Sequence, residues 1–336
     1  MNRRNEILVV TLVVQLVLIL LITTLRSPAA AAPAKPLFAG LKSADVQAIT
    51  IQEPAGAKID LVETNNNWTL PAQDDYPGDT SRINTFIGKL LNIQTGRLIA
   101  HNASSYPRLE VADGTYVKRV QFKTTDGKTH TLLIGSSGGG GAVYVRADGA
   151  AEVWLTDAIN NTDASTSAVD WINPTLFTIK DTDVTGLTIT NHNGTFDFVN
   201  TGKTWIMKGL TPNDKLDTSK VTDAVARLVS LTINSPLGKS PKPEYGLQPP
   251  TATITLTLSQ TSSTTKPIVI KVGAKDTSNS VYTVYTSVSP YYLTVSSYTL
   301  DDFVTRQKKD FLILPPTAVP TATVAPIETP VATASQ

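Results

Sequence analysis

No cysteine occurs in these 336 residues. That excludes disulfide scaffolds and thiolate-held zinc or iron–sulfur sites. Histidine is almost as scarce. His101, His130 and His192 stand far apart, without the helical spacings that set two metal ligands on one face, and they read as surface or satisfied side chains. An excess charge of one sign is also missing, since 29 basic residues face 28 acidic ones. A polyanion binder working through bulk charge is thereby excluded, and no nucleic-acid partner is expected. The chain is nevertheless 41% hydrophobic, too apolar for wholesale disorder. Its length fits about two domains.

The usual signatures of catalysis are absent too. A nucleophile elbow needs Gly-x-Ser-x-Gly at a strand-to-helix turn, and the pattern's match, Gly135-Ser-Ser-Gly-Gly139, opens no helix. The run Gly135-Ser-Ser-Gly-Gly-Gly-Gly141 leads into a strand-like segment and not into Gly-Lys-Ser/Thr and a helix, so it reads as a flexible hairpin loop and not a phosphate cradle. The acidic pairs Asp74-Asp75, Asp301-Asp302 and Asp181/Asp183 have neither the spacing of a calcium loop nor an evident opposing carboxylate, and read as solvated charge. No catalytic, cofactor-binding or metal-ligating residue is expected, and no cofactor.

What the chain does contain begins at its N-terminal end. Residues 7–25 are uncharged and rich in leucine, isoleucine and valine. As a helix they reach about 28 Å, close to the thickness of a bilayer core. Arg3 and Arg4 precede this segment and only Arg26 follows closely. The predicted arrangement is a six-residue cytoplasmic stub (1–6), a transmembrane helix (7–25) and an extracytoplasmic remainder. A cleaved signal peptide, with Ala29–Ala32 at its processing site, is the rival. A Pro/Ala linker (26–36) follows, and a Pro/Thr/Ala-rich tail (313–336), expected to be disordered, closes the chain.

Between these ends the sequence repeats itself. Asp79-Thr80-Ser81 returns as Asp217-Thr218-Ser219, an offset of 138 residues that also relates Ile134-Gly135 to Val272-Gly273 and Trp154-Leu155-Thr156 to Tyr292-Leu293-Thr294. Each copy opens with alternating apolar and polar positions, Val46–Gln52 and Val184–Thr190, the pattern of half-buried strands. An Asp-capped amphipathic helix follows, with Ile83, Phe86, Ile87, Leu90 and Leu91, or Val221, Ala224, Val225, Leu228 and Val229, on one face. Further strands come next, and a short helix is expected at 157–168 and at 299–307. The fold class is α+β: two tandem antiparallel-sheet-plus-helix modules, 37–170 and 171–312.

The second copy carries Trp205, Asp217, Leu228, Tyr245-Gly246-Leu247-Gln248-Pro249-Pro250, Val272-Gly273 and Val281-Tyr282 in order; the first has Tyr106-Pro107-Arg108-Leu109 in place of Tyr-Gly-Leu. This series resembles the DUF4340 family of uncharacterised bacterial proteins, over roughly 37–312. The resemblance implies one N-terminal membrane helix and, because such proteins are often encoded beside ABC-transporter permease and ATPase subunits of the gliding-motility-like type, an accessory role with integral-membrane partners.

The expected function is therefore non-enzymatic: a membrane-anchored extracytoplasmic interaction or scaffold protein. An alternative is binding of envelope carbohydrate or polymer on a stacking face formed by Tyr282, Tyr285, Tyr291 and Tyr292. A more remote alternative is a hydrolase with its site between the modules.

Overall fold

A computed structural model describes residues 11–20, 33–202, 204–259 and 266–313. The expected membrane span lies partly outside these. Its described part, 11–20 (α1), is helical, and Leu12, Val13, Val14, Leu16, Val17, Leu18, Ile19 and Leu20 are all exposed. Among the described residues no helix is long and apolar enough to cross a membrane. The stub, most of the linker and nearly all of the tail fall outside the described residues.

The body is a mixed α+β structure of two large antiparallel sheets and few helices. The first half contributes β1 (Val46–Gln52), β2 (Lys58–Thr64), β3 (Asn67–Leu70), β4 (Tyr76–Pro77), helix α2 (Thr80–Leu91), β5 (Leu98–Ala100), a helical turn α3 (Tyr106–Leu109), the hairpin β6 (Val111–Ala112) and β7 (Thr115–Tyr116), then β8 (Lys118–Thr124), β9 (Thr129–Gly139), β10 (Ala142–Ala147) and β11 (Val153–Thr156). The second contributes β12 (Val184–Asn191), β13 (Gly194–Asn200), β14 (Trp205–Met207), helix α4 (Thr218–Leu228), β15 (Ser235–Gly238), β16 (Ala252–Leu258), β17 (Ile268–Asp276), β18 (Val281–Thr286), β19 (Tyr292–Ser296) and helix α5 (Ser297–Thr305).

The first sheet is ordered β4-β3-β2-β1-β8-β9-β10-β11-β5 and the second β14-β13-β12-β16-β17-β18-β19-β15. Apart from β4 the two orders match strand for strand. Each helix caps in the same way. Asp79 accepts from the Ser81 and Arg82 amides and Asp217 from the Ser219 amide, satisfying donors that the first turn leaves free. The cap amides are used alike as well: Asp79 N–H donates to Trp171 O at 2.7 Å and Asp217 N–H to Phe311 O at 2.9 Å. The helix faces predicted from the 3.6-residue period are the buried ones, with Ile83, Phe86, Ile87 and Leu90 in α2 and Val221, Ala224, Val225 and Leu228 in α4. They join the inner faces of both sheets in one continuous hydrophobic core.

Within α2, Gly88 has a helical backbone, and a methyl added there would touch nothing within 4 Å. Gly88→Ala is expected to stabilise the fold by about 0.5–1 kcal/mol, by restricting the unfolded chain. An upward shift in the urea midpoint at unchanged slope checks it.

Two local expectations are corrected. Residues 157–168 form turns and not a helix, because Asn160 Oδ1 accepts from the Thr162 and Asp163 amides while Asp163 Oδ2 accepts from the Asn160 amide. These short polar side chains satisfy the backbone locally and displace the helix. The expected second helix does form, as α5. The glycine run is likewise not a loop throughout. β9 continues to Gly139, leaving Gly140 and Gly141, both at positive φ, to turn the chain.

Two of the acidic pairs, although solvent-accessible, also make specific contacts. Asp301 meets Lys275 at 2.7 Å, while Asp302 meets Arg227 and Arg306, each at 2.8 Å. Asp74 and Asp75 sit at φ of 54° and 60° where the two sheets meet. Asp74 Oδ2 accepts from the Lys239 amide at 2.5 Å, and the Asp75 carbonyl accepts from the Tyr291 hydroxyl at 2.9 Å. The Tyr76 and Tyr291 rings pack edge to face at 4.7 Å across the same junction.

Candidate functional site

The four tyrosines picked out from the sequence do not form one face. Strand alternation divides them. Tyr282 and Tyr291 point into the core and are 5% and 8% exposed, whereas Tyr285 and Tyr292 point outward and are half-buried. Tyr282 donates its hydroxyl to Asp301 Oδ1 at 2.8 Å, and Tyr291 is committed to the junction.

Tyr285 and Tyr292 are directly opposed in the β18–β19 register, with ring centroids 5.0 Å apart. A third ring extends the row. After β15 the chain makes a 3-10 turn at Pro243–Tyr245, and Gly246, at φ 61°, turns it back over the sheet. The turn sets the Tyr245 ring 5.1 Å from Tyr292, while the Tyr245 hydroxyl donates to Leu237 O at 3.4 Å. The Lys242 ammonium lies 5.8 Å from the Tyr245 ring centre. Together with Pro241, Pro243, Leu247 and Gln248, the rings of Tyr245 and Tyr292 line an open pocket of about 390 Å³. Lys271, opposite Tyr285 in the β17–β18 register, lies at the far end of the row.

The glycine of the strand motif permits this arrangement. A methyl on Gly273 would overlap the Tyr245 carbonyl oxygen and lie 3.0 Å from Leu247 Cγ. The Tyr-Gly-Leu segment can cross the sheet this closely only over a bare glycine. The first half repeats the device, since a methyl on Gly135 would overlap the Leu109 carbonyl.

Above that crossing the halves differ. In the first, the β6–β7 hairpin seals the outer face. Leu109 and Val111 join Ala100, Leu133 and Val153 in a small second core flanked by Tyr106, Tyr116 and Tyr144. The buried Arg146 donates to Val111 O at 2.7 Å and to Asp113 Oδ1 at 2.6 Å, beneath the Tyr106 ring at 4.5 Å. In the second half Gly246–Thr251 run straight into β16, and the corresponding surface is the tyrosine pocket.

Elsewhere, a cleft of about 330 Å³ at the junction includes Tyr76, Asn173, Thr175, Ser289 and Tyr291 in its lining, and its ionisable groups are the two phenols. Burial, then the neighbouring Tyr291, raises the Tyr76 pKa. Among the described residues no group of three or more His, Asp or Glu is placed to hold a metal. His101 and His192 are exposed, whereas His130 is half-buried and stacks on Phe122 at 5.1 Å, with its Nε2 buried and without a hydrogen-bond partner among the described residues.

The Tyr282 phenol gives a measurable pH response. Burial first, and then the hydrogen bond to Asp301 and its charge, push its pKa up to about 12. Burial would by itself raise the Asp301 pKa, but the bonds from Lys275 and Tyr282 outweigh it and hold that pKa below the usual value. A phenol raised in the folded state leaves stability intact below its unfolded pKa, near 10, and weakens the fold as pH rises from there through about 12. The slope from this group is at most about 1.4 kcal/mol per pH unit. Tyr282→Phe is expected to flatten the alkaline limb of stability against pH, leaving the smaller contribution of Tyr76. Urea titrations across that range check it.

No curated protein and no solved structure matches this chain. A family model, described as a domain of unknown function (DUF4340), matches residues 68–250, a continuous stretch from β3 of the first sheet to the segment entering β16 of the second. This span is narrower than the 37–312 suggested by the residue pattern. It takes in the Tyr245–Pro250 turn and stops short of Gly273, Tyr285 and Tyr292, which complete the pocket. Covering more than half of the chain, it shows that this protein belongs to the DUF4340 family.

Proposed function

We propose that this chain is a non-enzymatic, membrane-anchored interaction protein, built from two copies of one module and binding its ligand at the tyrosine pocket of the second copy. The open pocket carries the reading. Its lining offers ring faces, an ammonium and an amide, groups that hold a partner by stacking, cation–π contact and hydrogen bonding. Duplication is supported by the matched strand orders, the mirrored helix caps and the paired crossings over Gly135 and Gly273. One copy then has its outer face sealed by a hairpin, and the other keeps it free for a ligand.

The anchor is the apolar segment at 7–25. Residues 11–20 support it, being helical with apolar side chains exposed around the whole circumference, which is costly in water and favourable in lipid. With Arg3 and Arg4 on the cytoplasmic side, both sheets lie outside the cytoplasm. The partners proposed are integral-membrane subunits of an ABC-type transporter of the gliding-motility-like type. Detergent extraction after mild cross-linking of the tagged chain should recover permease subunits, and the combined substitution Tyr285→Ala/Tyr292→Ala should remove most of them. Recovery of the tagged chain alone would overturn the assignment.

A further inference from the structure

We infer that the tyrosine pocket takes a proline-rich extended polypeptide, and that its resident occupant is this chain's own C-terminal segment. The inference rests on the reading of the pocket as a ligand-binding face and names the ligand. Three features of the site select the ligand class. Tyr285 and Tyr292 present half-buried rings 5.0 Å apart, and Tyr245, itself only 6% exposed, closes the row 5.1 Å from Tyr292. Ridged aromatic rows of this kind grip the rigid rings of a polyproline II strand, which loses little entropy on docking. Backbone carbonyls of such a strand are unpaired and need donors, and the hydroxyls of Tyr285 and Tyr292 and the Gln248 amide can supply them. Finally, Lys242 and Lys271 flank the row, favouring a ligand with an acidic group.

The chain carries a segment of that description. Leu314–Gln336 contains prolines 315, 316, 320, 326 and 330, no aromatic residue, and one charged residue, the acidic Glu328. The described body ends at Ile313, whose amide donates to Lys215 O near the β14 side of the second sheet. The pocket lies at the opposite edge, by β19 and β15. Eight strands span about 34 Å. As polyproline II, the chain from Leu314 to Glu328 reaches about 46 Å, enough to lay Pro326–Pro330 along the tyrosines with Glu328 near the lysines. Such a tail competes with any external ligand for the same rings.

Because the chain has no cysteine, two labels can be placed without background. Ser240→Cys beside the pocket and Ala332→Cys in the tail, both carrying nitroxides, are measured by pulsed spin resonance on the full chain in detergent. A distinct short-distance population is expected. It should be lost with Tyr292→Ala, and equally with Pro326→Ala/Pro330→Ala, which leaves the folded body untouched. A broad distribution insensitive to both changes overturns the tail as occupant. The second arm adds a synthetic peptide of residues 315–336 to the chain carrying Pro326→Ala/Pro330→Ala. Binding in trans, weakened at least about tenfold by Tyr292→Ala, supports the polypeptide class. Should the peptide fail while chitohexaose binds and depends on Tyr292, the polypeptide class is overturned and the pocket reading stands. If neither binds, both fall.

Discussion

Gly273→Ala is expected to destabilise the second half of the chain by about 3 kcal/mol, the upper range for overpacking, and to abolish the binding proposed for the tyrosine pocket. The cause is the nature of the atom struck. The added methyl meets the Tyr245 carbonyl, a backbone oxygen anchored in a 3-10 turn, with Leu247 behind it at 3.0 Å. No rotamer change can clear it. The turn must lift from the sheet, taking the Tyr245 ring away from Tyr292 and dismantling the pocket. Gly246 allows no compensation, because a side chain there would lie 2.9 Å from the Ala274 amide at a φ of 61°. Gly135→Ala should cost a similar amount in the first half, where the methyl meets the Leu109 carbonyl and sits 2.8 Å from Val111 Cγ1. Gly88→Ala supplies the opposite sign in the same assay. Urea unfolding of the three variants decides the matter, and a Gly273→Ala midpoint equal to that of the parent protein would contradict the close crossing.

These glycines also show where sequence reading succeeds and where it stops. Period-2 alternation over Val46–Gln52 and Val184–Thr190, and the Asp-led amphipathic helices, are local signals, and the structure reproduces them except that a register shift after Val46 and after Val184 resets the phase of each strand. The offset of 138 residues placed Gly135 opposite Gly273, yet read alone the run after Gly135 suggested flexibility. Its glycines serve several ends: Gly135 admits a crossing chain, and Gly140 and Gly141 take positive φ. The tyrosines carried a readable parity as well. Residues 282 and 285 fall on opposite sides of β18, and 291 and 292 must part at the start of β19, so a single face was never available to all four. Tyr245 was visible as part of a motif, but its place beside Tyr292 depends on a turn crossing from another strand. The junction was the least legible feature. Asp74-Asp75 and Tyr291 are separated by more than two hundred residues, and no periodicity or spacing joins them.

That junction yields the second large effect. Tyr291→Ala removes a buried ring packed at 4.7 Å against Tyr76 and a hydroxyl donating to Asp75 O. Loss of a buried aromatic side chain costs about 3 kcal/mol or more, and here the cost falls on the contact between the halves. The same ring also lies beneath the Lys239 ammonium at 4.8 Å, next to the Lys239 amide that donates to Asp74, so its removal loosens each cross-junction contact in turn. The parent protein, with one continuous core, is expected to melt in a single calorimetric transition, and Tyr291→Ala in two. Tyr291→Phe separates the contributions: the ring stays, only the hydrogen bond is lost, and about 1 kcal/mol is expected with the single transition retained. Tyr76→Ala should mimic Tyr291→Ala, and the double variant should fall short of additivity by about 0.5–1.5 kcal/mol, the coupling of the two rings. Strict additivity, or a single unchanged transition in Tyr291→Ala, would mean that the halves are held together elsewhere.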